Sequence, residues 1–345
     1  METKQILVQS LCVPCGCHCR YCLLSWEHQT VGADFEQSRA YSRGFYDYLR
    51  RNQPDIRFDF CFGYSMDHPA LLETLDFLNE IGSVQGQLLQ LDGLRMRTDP
   101  EIDDWMAGLA AHGVRHTNFT FYGLESYHDR FAGRKGDFSY LRRLAASAKR
   151  HGLETSAGIP LNSENAGQVE ELLTLLEADG IAKRTLFVPH EEGRGVNLAP
   201  IRFSLSDYEG LGARAKALLN RKTFRTEGEW VRLEDIPAEE NRLLLISLTP
   251  ENIEKFRAMG YPAVIRYVEE LDEAYYGAIP DFRTLCAMYG DPAGTRFYGK
   301  RDLFRHYARR YIQEQHLELY DVTDERYCGS RRFKCIKNRS RHFNQ

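Results

Sequence analysis

The 345-residue sequence has no apolar run near the ~20 residues that a membrane-spanning helix needs, so no membrane span is expected. Its opening, METKQILVQS, lacks the apolar core of a secretory signal. Lysine and arginine number 45 against 49 aspartates and glutamates. That net charge of −4 gives no reason to expect a nucleic acid or an anionic membrane as partner. There is no internal repeat and no low-complexity linker. Cysteines number nine, an odd count too crowded in one place to pair throughout as disulfides, so a reducing, cytoplasmic setting is expected. At 43% hydrophobic and 27% charged residues the chain can bury a large core.

Five of those cysteines stand in one stretch, LCVPCGCHCRYCLL, residues 11–24. A ferredoxin run of C-x-x-C-x-x-C fails there: from Cys12 it meets His18, and from Cys19 it meets Ser25. A zinc site could use Cys12 and Cys15 with Cys19 and Cys22, although zinc pairs usually stand farther apart so that the chain can wrap one ion tetrahedrally. The spacing C-x-x-x-C-x-x-C fits in one way, at Cys15, Cys19 and Cys22. Three thiolates on a short loop can hold three irons of a [4Fe–4S] cube and leave the fourth open. Tyr21, just before the last cysteine, could pack over such a cofactor.

Around this loop the chain alternates. Short strand-like segments, ILVQSL, IRFDFCFGY, VQGQLLQLDG, RHTNFTFYG, LETSAGIPL and KRTLFVPH, are separated by amphipathic segments such as DFEQSRAYSRGFYDYLRRNQ and AGQVEELLTLLEADG. Six such units between residues 6 and about 190 predict a parallel α/β architecture with functional loops at the C-terminal strand ends.

CGCHCRYC resembles the signature loop of radical S-adenosylmethionine (radical SAM) enzymes, including the aromatic before the third cysteine. The resemblance implies a partial (β/α)6 TIM-like barrel over residues 1–200, with 201–345 as a mixed, mainly helical extension over the barrel mouth. It implies a [4Fe–4S] cluster on Cys15, Cys19 and Cys22 whose open iron chelates the amino and carboxylate groups of S-adenosylmethionine. One electron from an external reductant such as flavodoxin or ferredoxin then generates a 5′-deoxyadenosyl radical, which takes hydrogen from a substrate C–H bond. The other loops carry the resemblance from residue 5 to about 200. FCFGYSMDHP matches the loop after strand two at Gly63, His68 and Pro69. There Phe62 and Tyr64 replace the usual glycine and glutamate, so Tyr64 or the backbone at Phe62 and Gly63 is implied where a carboxylate normally takes the methionine ammonium. LQLDGLRM places Asp92 and Gly93 at the third turn. NFTFYGLESYHDRFAGRKGDF offers Thr120, Tyr122 and Glu125 to the cosubstrate or substrate. AGIPLNSEN offers Ile159 and Asn162 beside the adenine. VPHEEGRGVNL, with Pro189, Gly193, Arg194 and Gly195, is similar to peptide-modifying members and implies a peptide or amino-acid-like substrate.

Cys61 and Cys286 are candidate hydrogen donors to a substrate radical, since thiol S–H bonds are weak. Cys286, Cys328 and Cys335 lack the dense C-x-x-C pairs of auxiliary clusters, so none is expected. Beyond residue 200 the sequence predicts a helix capped at Ser206, a hairpin around Glu227-Gly228, and helices over TPENIEKFRAMG, PAVIRYVEELDEAYY and KRDLFRHYARRYIQEQH, then a basic, aromatic tail. Two other readings stay open: a non-catalytic zinc-binding structural or regulatory protein, and an electron-transfer iron–sulfur protein using Cys12 or Cys17 as a fourth ligand.

Overall fold

A computed structural model describes residues 2–10, 15–22, 32–63, 66–191, 193–235 and 241–319. Cys12, Tyr64, Cys328, Cys335 and the basic tail lie outside the described residues.

The alternation expected from the sequence is present. The first half runs β1 (Glu2–Ser10), α1 (Phe35–Asn52), β2 (Arg57–Phe62), α2 (Leu71–Glu80), β3 (Leu88–Gln90), α3 (Asp99–Ala111) and β4 (His116–Thr120). It continues with α4 (Glu125–Ala132), α5 (Asp137–Arg150), β5 (Glu154–Pro160), α6 (Val169–Ala178) and β6 (Lys183–Phe187). The remainder holds α7 (Leu205–Gly210), α8 (Ala213–Leu218), β7 (Phe224–Thr226), α9 (Glu227–Val231), β8 (Asn241–Ser247), α10 (Ile253–Met259), α11 (Tyr261–Ala278), α12 (Phe282–Tyr289), β9 (Phe297–Gly299) and α13 (Lys300–Glu314).

All strands of the alternating region pair in parallel, in the orders β2-β1-β8 and β3-β4-β5-β6. Among the described residues no ladder joins β2 to β3 or β6 to β8, so the array is open rather than a closed barrel. Ser83 Oγ donating to Asp59 Oδ1 (2.7 Å) spans from β2 to the approach to β3. The period of two sorts the strand faces. Ile6, Val8, Phe58 and Phe60 are buried against α1, α10 and α11, while Leu89, Phe119, Ala157 and Ile159 are buried against α2, α3, α5 and α6. The opposite face is polar and bonded to itself. Gln5 donates to Asp59, Gln9 to Ser247, Ser156 to Asn118, and His116 Nε2 meets Ser156 Oγ.

Three expectations beyond residue 200 are corrected. β8 extends the sheet at β1, so the C-terminal half supplies a core strand and not helices and turns alone. The Glu227-Gly228 hairpin is absent. Thr226 and Glu229 form a reciprocal capping box that starts α9 there, and β7 pairs instead with β9, antiparallel. The helix expected to be capped at Ser206 is two short helices, and its cap is Ser204, whose hydroxyl accepts from the Asp207 N–H while Asp207 answers to the Ser204 N–H. No helix among the described residues is long and apolar enough to cross a membrane.

Candidate active site

The cysteine loop is held at the C-terminal ends of the strands by backbone hydrogen bonds to three separate loops. Gly16 N–H donates to Gly93 O (2.6 Å) after β3. His18 and Arg20 N–H donate to Ala132 O (2.8 Å) and Phe131 O (3.0 Å) at the end of α4. Arg194 N–H donates to Cys22 O (2.9 Å) after β6, and its guanidinium donates to His18 O (3.0 Å). Gly93, at φ +70°, makes room for the first cysteine: a Cβ there would stand 2.3 Å from Cys15 Sγ. Gly195 allows another close approach, since a Cβ would meet His190 O at 2.2 Å.

The thiols influence one another. Burial pushes Cys15 up to about 11, and negative charge at Cys19 and Cys22 acts in the same direction. Hydrogen bonds from Cys17 and then Tyr122 outweigh burial at Cys19 and lower it, and Tyr122 Oη lies 3.1 Å from Cys19 Sγ. Among the described residues no three Cys, His, Asp or Glu side chains converge on the position of one metal ion. The thiols of Cys15, Cys19 and Cys22 are soft donors that both zinc and iron–sulfur clusters take, their number suits a cluster with one cysteine per iron, and Gly93 leaves room for the Cys15 sulfur.

A second layer backs the loop. Tyr122 N–H donates to His128 Nδ1 (3.1 Å), which leaves the proton on Nε2, 3.0 Å from Asp137 Oδ2. Arg134 Nε donates to Asp137 Oδ1 (3.0 Å), and Cys17 Sγ lies 3.6 Å from Asp137 Oδ2. Burial alone would raise the Asp137 carboxyl, but the His128 hydrogen bond and the Arg134 charge hold it below its ordinary range. Tyr21 packs at the centre, its ring 5.5 Å from Tyr122 and 6.0 Å from Phe131.

Several expected site residues gather here. Asp92 and Thr120 meet at the ends of β3 and β4: Asp92 accepts from Thr120 N–H (2.9 Å) and Oγ1 (2.7 Å). Burial pushes the Asp92 carboxyl up to about 6 against those two bonds. Asn162 is buried after β5. Its Oδ1 accepts from Tyr127 Oη (2.9 Å) and from the N–H groups of Glu164 (2.9 Å) and Asn165 (3.2 Å), which fixes the amide orientation. Its Nδ2 has no partner among the described residues, so a buried donor stands ready for a ligand oxygen or ring nitrogen.

Others lie outside this hydrogen-bonded cluster. Glu125 is exposed at the start of α4 and accepts from Ser139 Oγ (2.8 Å). The Ile159 side chain is fully buried on the helix side of β5. Phe62 packs between Phe35 and His68, with ring centroids 5.1 and 5.2 Å away, and Gly63 takes φ +79° beneath the His68 ring. Cys61 is half-buried on the polar sheet face, near Gly63 O (3.2 Å). Cys286 is buried with Trp230, Phe282 and Leu285 in a separate core of the C-terminal helices. Sequence reasoning missed Arg134 and Asp137. The left-handed Gly133 that ends α4, inside HDRFAGRKGD, is the local signal that turns Arg134 back toward the loop.

No family model matches the chain, and no curated protein matches it. Solved structures with a similar arrangement include coproporphyrinogen III oxidase of Escherichia coli, itself a radical SAM enzyme. That likeness covers 89% of each chain at 12% identity and a TM-score of 0.43. In this the chain is similar to a radical SAM enzyme. It also resembles Streptococcus suis SuiB bound to its precursor peptide SuiA (10% identity, TM-score 0.40) and anSMEcpe with bound S-adenosylmethionine (17%, 0.42). These matches cover 55% and 59% of this chain but only 40% and 57% of those proteins. At such values the functional reading rests on the chain's own residues.

Proposed function

We propose that this chain is a radical SAM enzyme. The observation that carries the reading is the loop of Cys15, Cys19 and Cys22, pinned to the ends of parallel strands with Gly93 kept open against Cys15 Sγ. A [4Fe–4S] cluster bound by these thiolates would supply one electron to S-adenosylmethionine, giving methionine and a 5′-deoxyadenosyl radical that takes hydrogen from a substrate carbon. The chain's residues do the rest. Gly93 admits the loop, Arg194 holds its carbonyls, and the unpartnered Asn162 amide suits a ring nitrogen or ribose oxygen of the cosubstrate. Tyr64, in place of a carboxylate, would face the methionine ammonium; it lies outside the described residues. The loop after β6 resembles that of peptide-modifying enzymes, so a peptide or amino-acid-like substrate fits this reading.

Anaerobically reconstituted and reduced protein is expected to convert S-adenosylmethionine to 5′-deoxyadenosine and methionine, slowly even without substrate. Product chromatography measures this. A fully loaded, reduced protein that yields no 5′-deoxyadenosine with or without candidate peptides would overturn the reading.

A further inference from the structure

We infer that the Tyr122 hydroxyl sets how readily the cluster accepts an electron, by donating a hydrogen bond to the Cys19 sulfur. The inference rests on the reading of Cys15, Cys19 and Cys22 as cluster ligands. Tyr122 Oη stands 3.1 Å from Cys19 Sγ, a normal length for a hydroxyl donating to sulfur. The phenol is 3% exposed, so no bulk water competes for its proton. Its position is fixed from several sides. The ring stacks on Phe131 at 4.8 Å and meets Tyr21 edge-on. Its backbone N–H is committed to His128, and its carbonyl accepts from the Asn165 amide (2.7 Å).

Reduction adds negative charge to the cluster and its thiolate ligands. A donor aimed at a ligand sulfur stabilises the reduced form more than the oxidised one and raises the potential. The apolar cluster around this loop lowers the local dielectric and strengthens the effect. Tyr122 therefore belongs to the electron-accepting step and need not touch S-adenosylmethionine or the substrate.

The test compares wild type with Tyr122→Phe, which keeps the ring packing and removes only the donor. Both are loaded anaerobically, iron and sulfide are assayed, and the midpoint potential is measured by redox titration followed by electron paramagnetic resonance. The expected result is equal iron content with a lower midpoint potential in Tyr122→Phe. Placing 3-fluorotyrosine, a stronger donor, at position 122 is expected to raise it above wild type, so the potential follows donor strength even if one variant loads poorly. Equal potentials across the series at equal iron content would overturn the inference and leave the cluster reading standing. Wild-type protein that takes up zinc but no iron and sulfide would overturn both.

Discussion

Alanine at Cys15, Cys19 or Cys22 is expected to leave a folded protein that holds no stable [4Fe–4S] cluster. Each thiolate would be the sole protein ligand of one iron, so no neighbour can take over from a lost one. Cys17→Ala is expected to keep wild-type iron and sulfide. Among the described cysteines of the loop Cys17 has the least exposed side chain, and it lies against Asp137 on the side of the second layer. Iron and sulfide analysis with the visible absorption spectrum reads both outcomes. Loss of iron in Cys17→Ala equal to that in the other three would mean that the register of ligands is wrong.

Asp137→Ala is expected to destabilise the fold by about 3–5 kcal/mol, because it strands buried partners. Asp137 joins Arg134, His128 and Cys17, and its side chain is 3% exposed. Without it a guanidinium in a largely buried position loses its counter-charge, and the His128 N–H that it fixed loses its acceptor. A useful contrast is Glu36, whose bond to Arg39 is short (2.6 Å) but whose side chain is 69% exposed. Glu36→Gln is expected to cost under about 1 kcal/mol, since water screens that pair. Urea unfolding of the two variants measures the difference. Equal, small losses would show that the second layer does not hold the cysteine loop.

The alternation from β1 to β6 is legible because strands and helices there carry different hydrophobic periods and most units end on a glycine, such as Gly82, Gly113, Gly152 and Gly180. β8 is not legible for the same physical reason. NRLLLIS is a short apolar run without alternation, as expected for a parallel strand buried on both faces, with Leu244 and Ile246 against the helices and Leu245 buried on the opposite face, and periodicity alone cannot tell such a run from a buried helix. At Glu227-Gly228 two local signals compete, and the capping box of Thr226 and Glu229 prevails over the turn dipeptide. Within the site, the cysteine spacing points to its ligands without any tertiary information. The roles of Tyr122 and Asp137 depend on contacts across about a hundred residues of chain, Tyr122 with Cys19 and Asp137 with Cys17, which spacing does not encode. Ile159 shows the converse, since a position matched along the loop has its side chain on the far face of the strand.

The most direct measurement of the central claim is the electron paramagnetic resonance spectrum of the anaerobically loaded, reduced chain before and after S-adenosylmethionine is added. With ~4 irons and ~4 sulfides per chain, the three-cysteine reading predicts a [4Fe–4S] signal whose g-values change on addition, because an iron without a protein ligand takes the cosubstrate. A cluster signal that S-adenosylmethionine leaves unchanged, or zinc in place of iron, would contradict it.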